Sequence, residues 1–183
     1  MNVTLIGMAG SGKSYIGKRL AQRNKMEFVD TDDVMEQKYG KKIQSLLDEL
    51  GAERYLDLEG EVVISVSSGR DNLVLAPGGS IIYRPATLAH TRAISRVVYL
   101  HVPFEIVEAR LVATGPRAII GLGDKSLRQL YDERMPIYEK SADFVVDAML
   151  DVEDVIRTII AIAASPGLDR GDALDKKPPP AIL

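Results

Sequence analysis

The residues best suited to chemistry lie close to the N-terminus. Gly7-Met8-Ala9-Gly10-Ser11-Gly12-Lys13-Ser14 has the spacing G-x-x-x-x-G-K-S. Glycines spaced this way let main-chain N–H groups curl around a phosphate with no side chain in the way. A helix opening near Gly12 would add unpaired N–H groups and the positive end of its dipole. Gly10, Ser11 and Gly12 would then cradle a polyphosphate, and Lys13 would reach its β- and γ-phosphates as a point charge. The Ser14 hydroxyl would ligate Mg²⁺. The chemistry expected is that of ATP bound with Mg²⁺.

A second cluster, Asp30-Thr31-Asp32-Asp33, follows Phe28-Val29. It falls at the carboxyl end of an expected strand, where open α/β sheets bind ligands. Asp30 would hold Mg²⁺ directly or through water. Asp32 would accept a proton from a substrate hydroxyl or fix its direction. Thr31 or Asp32 also suits the N-cap of the helix that follows, and Asp33 reads as a solvated first-turn acid favoured by the helix dipole.

Positioning these groups requires alternating strands and helices. Short apolar runs predict strands at Val3–Ile6, Met26–Val29, Leu73–Ala76, Val97–His101 and Phe144–Val146. Helical periodicity predicts helices near Lys13–Asn24, Asp33–Tyr39, Ile43–Leu50, Glu53–Ser68, Ala86–Ala93, Phe104–Ala113, Lys125–Glu139 and Val152–Ala163. Strands separated by helices indicate an α/β domain with a parallel sheet. Between the second and third strands there are more helices than one crossover needs, so a helical insert is expected at about 32–69. The Gly/Pro-containing stretch at about 113–124, with Arg117, reads as a mobile loop. Residues 1–164 form one expected domain, and 165–183, with Pro178-Pro179-Pro180, an extended or disordered tail.

Composition removes several alternatives. With no cysteine, a disulfide scaffold, a thiolate metal site and a cysteine nucleophile are excluded. Two histidines, His90 and His101, are too few for a His-based metal site. A formal net charge of -3 gives no basic excess for nucleic acid, and no apolar run approaches a membrane span. Nothing at the N-terminus resembles a signal peptide. The expectation is a cytoplasmic monomer acting on a small molecule, with neither nucleic acid nor membrane as partner.

The phosphate loop followed by Phe28-Val29-Asp30-Thr31-Asp32 resembles the shikimate kinase family. So do Pro77-Gly78-Gly79 and Arg134-Met135-Pro136-Ile137-Tyr138, in the family's order and at similar spacing, up to about residue 160. The resemblance implies a nucleoside-monophosphate-kinase-like P-loop fold. That is a three-layer sandwich around a five-stranded parallel sheet, with a substrate-binding helical region and a lid. It implies that Lys13 and Ser14 bind ATP and Mg²⁺, that Asp30 belongs to the magnesium shell, and that Asp32 contacts the acceptor hydroxyl. Gly78 and Gly79 would offer N–H groups to the substrate, Arg117 would meet the transferring phosphate from the lid, and Arg134 would pair with a substrate carboxylate. Read without the family, Arg134 suits a surface salt bridge with Asp132, Glu133 or Glu139.

Two departures from the family pattern bear on the acceptor. Where the family has Gly-Glu-x-x-Phe-Arg-x-x-Glu, this chain has Gly51-Ala52-Glu53-Arg54-Tyr55-Leu56-Asp57-Leu58-Glu59. Leu56 occupies the place of the arginine that grips the shikimate carboxylate. Losing such a charged contact costs on the order of 1.5–3 kcal/mol. Arg54 substitutes only if the helix shifts register, because two positions along a helix turn a side chain by about 200°. Pro77 stands at the first place of the family's triple glycine and has no N–H to offer. Ser80 follows where a small apolar residue is common. Shikimate is the acceptor the resemblance implies. A different small hydroxylated acceptor, or a nucleotide-binding regulator without turnover, is the alternative these departures raise.

Overall fold

Runs of apolar residues alternating with amphipathic helices give a three-layer α/β sandwich in a computed structural model that describes residues 1–115, 118–123 and 125–164. The strands are β1 (Val3–Ile6), β2 (Glu27–Asp30), β3 (Leu73–Ala76), β4 (Arg96–His101) and β5 (Phe144–Asp147). They form one five-stranded sheet in the order β2-β3-β1-β4-β5, with every pairing parallel. The helices are α1 (Lys13–Asn24), α2 (Thr31–Tyr39), α3 (Ile43–Ser67), α4 (Pro85–Ile94), α5 (Phe104–Thr114), α6 (Leu127–Ser141) and α7 (Val152–Ala164).

Parallel strands are covered on both faces, which is why β1, β3 and the centre of β4 are buried throughout and almost wholly apolar. Alternate residues serve opposite layers. Val3, Leu5, Val74, Val98 and Leu100 pack against Ile16 and Leu20 of α1 and Ile156 and Ile159 of α7. Ile6, Leu73, Leu75, Val97 and Tyr99 pack with Val63 of α3, Val107 of α5 and Tyr138 of α6. A third cluster, Met35, Leu46, Tyr55, Leu56, Leu58, Val62 and Ile120, joins α2 and α3 to the loop after α5. Gly17 permits the close approach of α1 to β2, since a Cβ there would come within 2.5 Å of the Phe28 ring.

Several element boundaries differ from expectation for local reasons. Helix α2 begins at Thr31 rather than Asp33, and its N-cap is Asp30, not Thr31 or Asp32. The Asp30 side chain accepts from the Asp32 N–H at 3.1 Å. The two helices expected between 43 and 68 are both present, joined end to end within α3 across a kink where Gly51 (φ 72°, ψ 165°) leaves the helical conformation. Helix α6 starts at Leu127 rather than Lys125 because Ser126 and Gln129 form a capping box. A 3₁₀ turn at Gly79–Tyr83, not foreseen, follows β3. The tail 165–183 lies outside the described residues. Among the described residues, no helix is long and apolar enough to cross a membrane.

Candidate active site

The carboxyl ends of β1, β2 and β3 open into a cleft of about 1020 Å³. On its floor the segment after β1 turns through Gly7 (φ 147°), Gly10 (φ 82°) and Gly12 (φ 94°), backbone conformations that side chains disfavour. Gly12 caps α1 without a side-chain bond, so the first N–H groups of the helix are left for a ligand. Lys13 folds back over the loop, and its Nζ donates to the carbonyls of Gly7 (2.8 Å) and Met8 (3.0 Å). Burial of the ammonium lowers its pKa to about 8, against the opposing pull of Asp32 and Asp30. Gly10, Ser11, Gly12, Lys13 and Ser14 all line the cleft.

The strand-end acids divide as their positions suggest. Ser14 Oγ donates to Asp30 Oδ2 at 2.5 Å. Hydroxyl and carboxylate together present hard oxygen donors beside the phosphate loop. Among the described residues no group of three or more His, Cys, Asp or Glu gathers to hold a metal by itself. The Ser14–Asp30 pair fits Mg²⁺, which is ordinarily held by one or two protein oxygens together with substrate phosphates. Asp32 points elsewhere. Its Oδ1 is buried and has no hydrogen-bond partner. Burial first, then the charge of Asp30, raise its pKa to about 6, with Lys13 opposing. Asp33 is exposed in the first turn of α2.

The opposite wall is assembled from distant segments. Gly78 and Gly79 lead into the 3₁₀ turn, and a side chain at either would crowd the opposite wall. A Cβ at Gly78 would collide with Glu59 Oε1, and one at Gly79 would sit 3.0 Å from the Tyr138 hydroxyl and 3.3 Å from Arg134 Nη1. Tyr138, one turn after Arg134 on α6, donates to the Gly79 carbonyl at 2.7 Å. Arg134 is 2% exposed. Its Nε donates to the Tyr83 hydroxyl at 3.2 Å and its Nη2 to the Ile120 carbonyl. The surface salt bridge considered for it is not made. Glu133 pairs with Lys125, and Asp132 lies 3.9 Å from Arg128.

Leu56 is buried in the apolar cluster of α2 and α3. Arg54 does not replace the missing arginine, because it is exposed and bonded to Glu61 at 3.2 Å. Three cleft residues had no assigned role in the sequence. Glu59 is buried beside Gly78 and Ser80, accepts from Ser80 Oγ at 2.7 Å and leaves Oε1 without a partner. Burial raises its pKa to about 7, with Ser80 pulling the other way. Its spacing from Tyr55, Val62 and Val63 on one helix face was the available signal. Ser80, a departure from the family pattern, is the donor that holds Glu59. Arg110 of α5 donates to the Gly10 carbonyl at 3.0 Å, a contact spanning so much chain that no local pattern announces it. Arg117 lies outside the described residues.

Known proteins agree with this architecture. A family model described as shikimate kinase matches residues 9–164. A shikimate kinase from Francisella tularensis subsp. novicida (strain U112) is 40% identical over 148 residues, covering 80% of this chain and 84% of the relative. Among solved structures, shikimate kinase from Acinetobacter baumannii in complex with shikimate superposes with a TM-score of 0.76 at 27% identity. It covers 90% of this chain and 95% of that one. The Aquifex aeolicus shikimate kinase gives 0.74 at 28% identity, covering 88% and 95%. A deoxyadenosine kinase from M. mycoides with bound dATP shares the fold at 16% identity, with a TM-score of 0.57 and coverage of 90% and 100%. A phosphate loop under a five-stranded parallel sheet, and a sequence that matches over nearly its whole described length, make this chain a small-molecule kinase belonging to the shikimate kinase family.

Proposed function

We propose that the chain moves the γ-phosphoryl group of ATP to a hydroxyl of shikimate, giving shikimate 3-phosphate. The observation that carries this reading is the partnerless buried Oδ1 of Asp32, beside the Ser14–Asp30 pair and Lys13. A hydroxyl of the acceptor supplies the donor that this oxygen lacks.

In this reading Gly10, Ser11 and Gly12 hold the phosphates through main-chain N–H groups, and Lys13 exchanges the Gly7 and Met8 carbonyls for phosphate oxygens. Ser14 and Asp30 would hold Mg²⁺, which would supply charge neutralisation for the transferring phosphoryl group. Asp32 orients the acceptor hydroxyl and takes its proton as the new O–P bond forms and the β–γ bridge breaks. A carboxyl with a pKa near 6 is well matched to that transfer near neutral pH. Gly78 and Gly79 line the acceptor's path, and Arg134 faces its carboxylate. Arg117, on the segment at about 113–124 that serves as a lid, meets the transferring phosphate and helps keep water out. Helices α2 and α3 form the acceptor-binding insert.

The test is ADP release coupled to a spectrophotometric readout, with Mg·ATP and shikimate. Shikimate-dependent release with formation of shikimate 3-phosphate is expected. Release that is equal with and without shikimate, from protein that binds Mg·ATP, overturns the acceptor assignment.

A further inference from the structure

Arg134 is a buried cation on the wall of the cleft, and its usefulness to a ligand depends on where its donors point. A guanidinium is planar and carries five N–H donors in a rigid fork. Bonds from two of its nitrogens therefore fix the direction of the third. Nη2 donates to the Ile120 carbonyl, and Nε donates to the Tyr83 hydroxyl at 3.2 Å. Nη1 lies by Gly79, 3.3 Å from where a Cβ on that residue would stand. Gly79 lines the cleft as Arg134 does.

Tyr83 is held so that its oxygen accepts from Arg134. Its ring lies against the same guanidinium, with Cζ 5.1 Å from the ring centroid. Its hydroxyl donates to Glu133 Oε1 at 3.0 Å. Lys125 bonds the other oxygen of Glu133 and holds that carboxyl below its ordinary pKa, with burial opposing. An ionised carboxylate only accepts. The phenol proton is thus turned to Glu133, and an oxygen lone pair is turned to Arg134. Arg84 pins the adjoining backbone, with Nη1 donating to the Tyr83 carbonyl at 3.4 Å and Nε to Asp57 of α3 at 2.9 Å. A Cβ on Gly121 would stand 3.6 Å from the Tyr83 hydroxyl, so the chain after α5 closes over the same oxygen. Tyr83 does not itself line the cleft, so its effect on a ligand passes through Arg134.

We propose that Tyr83 is a positioning residue for the acceptor. Its phenol, oriented by Glu133, sets the plane of the Arg134 guanidinium and so aims Nη1 at the acceptor's acid group. The inference rests on the reading of Arg134 in the phosphotransfer above and adds the group that aims it.

The test is calorimetry with shikimate and with its methyl ester in the presence of Mg·ADP, together with steady-state kinetics with Mg·ATP. Tyr83→Phe keeps the ring against the guanidinium and removes only the hydroxyl. It should weaken shikimate binding about tenfold and ester binding by less than about twofold, because only the acid group depends on Nη1. The shikimate KM should rise in step, while kcat stays within about threefold and the KM for ATP does not move. A ring that merely fills space would weaken both ligands or neither. Glu133→Ala, a change at the surface, releases the phenol proton and should lower the acid-to-ester preference about threefold. That variant decides the matter alone if Tyr83→Phe does not fold. An unchanged acid-to-ester preference in the folded variant overturns the inference, and so does an unaltered chain that binds acid and ester equally. Shikimate binding without turnover in the unaltered chain overturns only the phosphotransfer reading. Failure of both ligands to bind the unaltered chain overturns both.

Discussion

The two ends of the cleft are built on different principles. The end proposed for phosphate is one continuous segment, Gly7 to Ser14, in which main-chain groups would do most of the work and Lys13 would add a single charge. The end proposed for the acceptor is drawn from four separated places: Asp32 on α2, Glu59 on α3, Gly78 to Ser80 after β3, and Arg134 on α6. A backbone cradle tolerates little change in spacing but asks for few side chains. A wall of side chains lets one position, such as Ser80, alter what is recognised without touching the phosphate loop. Replacing Lys13 with Ala should therefore give the largest loss in the molecule, a hundred-fold or more in kcat, or about 3 kcal/mol of transition-state stabilisation. Melting temperature is to be measured alongside, because the buried ammonium also bridges the Gly7 and Met8 carbonyls and lies in the field of Asp32 and Asp30. Wild-type turnover in that variant would show that the loop is not the phosphate site.

Legibility in the sequence follows the same division. The loop, the strands and the order of helices are local patterns, and the structure places them within a few residues of where periodicity and capping rules put them. The contacts of Arg110 with Gly10 and of Tyr138 with Gly79 link segments far apart in sequence, so no window of residues reveals them. Asp30 was readable as a strand-end acid but not as the cap of α2. Asp30, Thr31 and Asp32 all suit that position, and only the hydrogen bond to the Asp32 N–H decides among them. Arg134 shows the limit most plainly. Three acids surround it in sequence, yet its helix turns it inward to Tyr83 and Ile120.

The acceptor end should also be the more easily disturbed by added bulk. Gly78 has φ −56°, which any residue adopts, so Gly78→Ala tests space alone. The new methyl must displace the Glu59 carboxyl, and overpacking of this kind costs about 2 kcal/mol. The acceptor KM should rise about tenfold with the KM for ATP unchanged, as measured by steady-state kinetics with each substrate varied in turn. An equal rise in both would mean that the two ends are not separable.

Leu56→Arg sharpens the comparison by adding a cation to one end only. Three residues from Glu59, the guanidinium can pair with that carboxyl and face a substrate acid group. Shikimate binding should tighten, and preference for shikimate over its methyl ester should grow by about tenfold, with ATP binding unaffected. The cost is a charge set among Met35, Leu46 and Ile120, so a lower melting temperature is expected alongside. An unchanged acid-to-ester ratio in folded protein would show that position 56 does not face the acceptor.

The smallest effect concerns pH. Glu59 is held near 7 by burial, well above the ordinary 4.5. Between these values the folded chain retains a proton that the unfolded chain has released. Stability from this group is thus fully present at low pH and is lost as pH rises through about 7. From pH 6 to pH 8 the loss is roughly 1 kcal/mol. Glu59→Gln keeps the shape and removes the ionisation. Denaturant unfolding of the two proteins at both pH values should show the variant gaining on wild type by that amount. Asp32 shifts in the same direction, but it is present in both proteins and largely cancels in the difference. A difference that stays flat with pH would place the Glu59 carboxyl in contact with solvent or with a cation, and would remove the contrast between the two ends of the cleft.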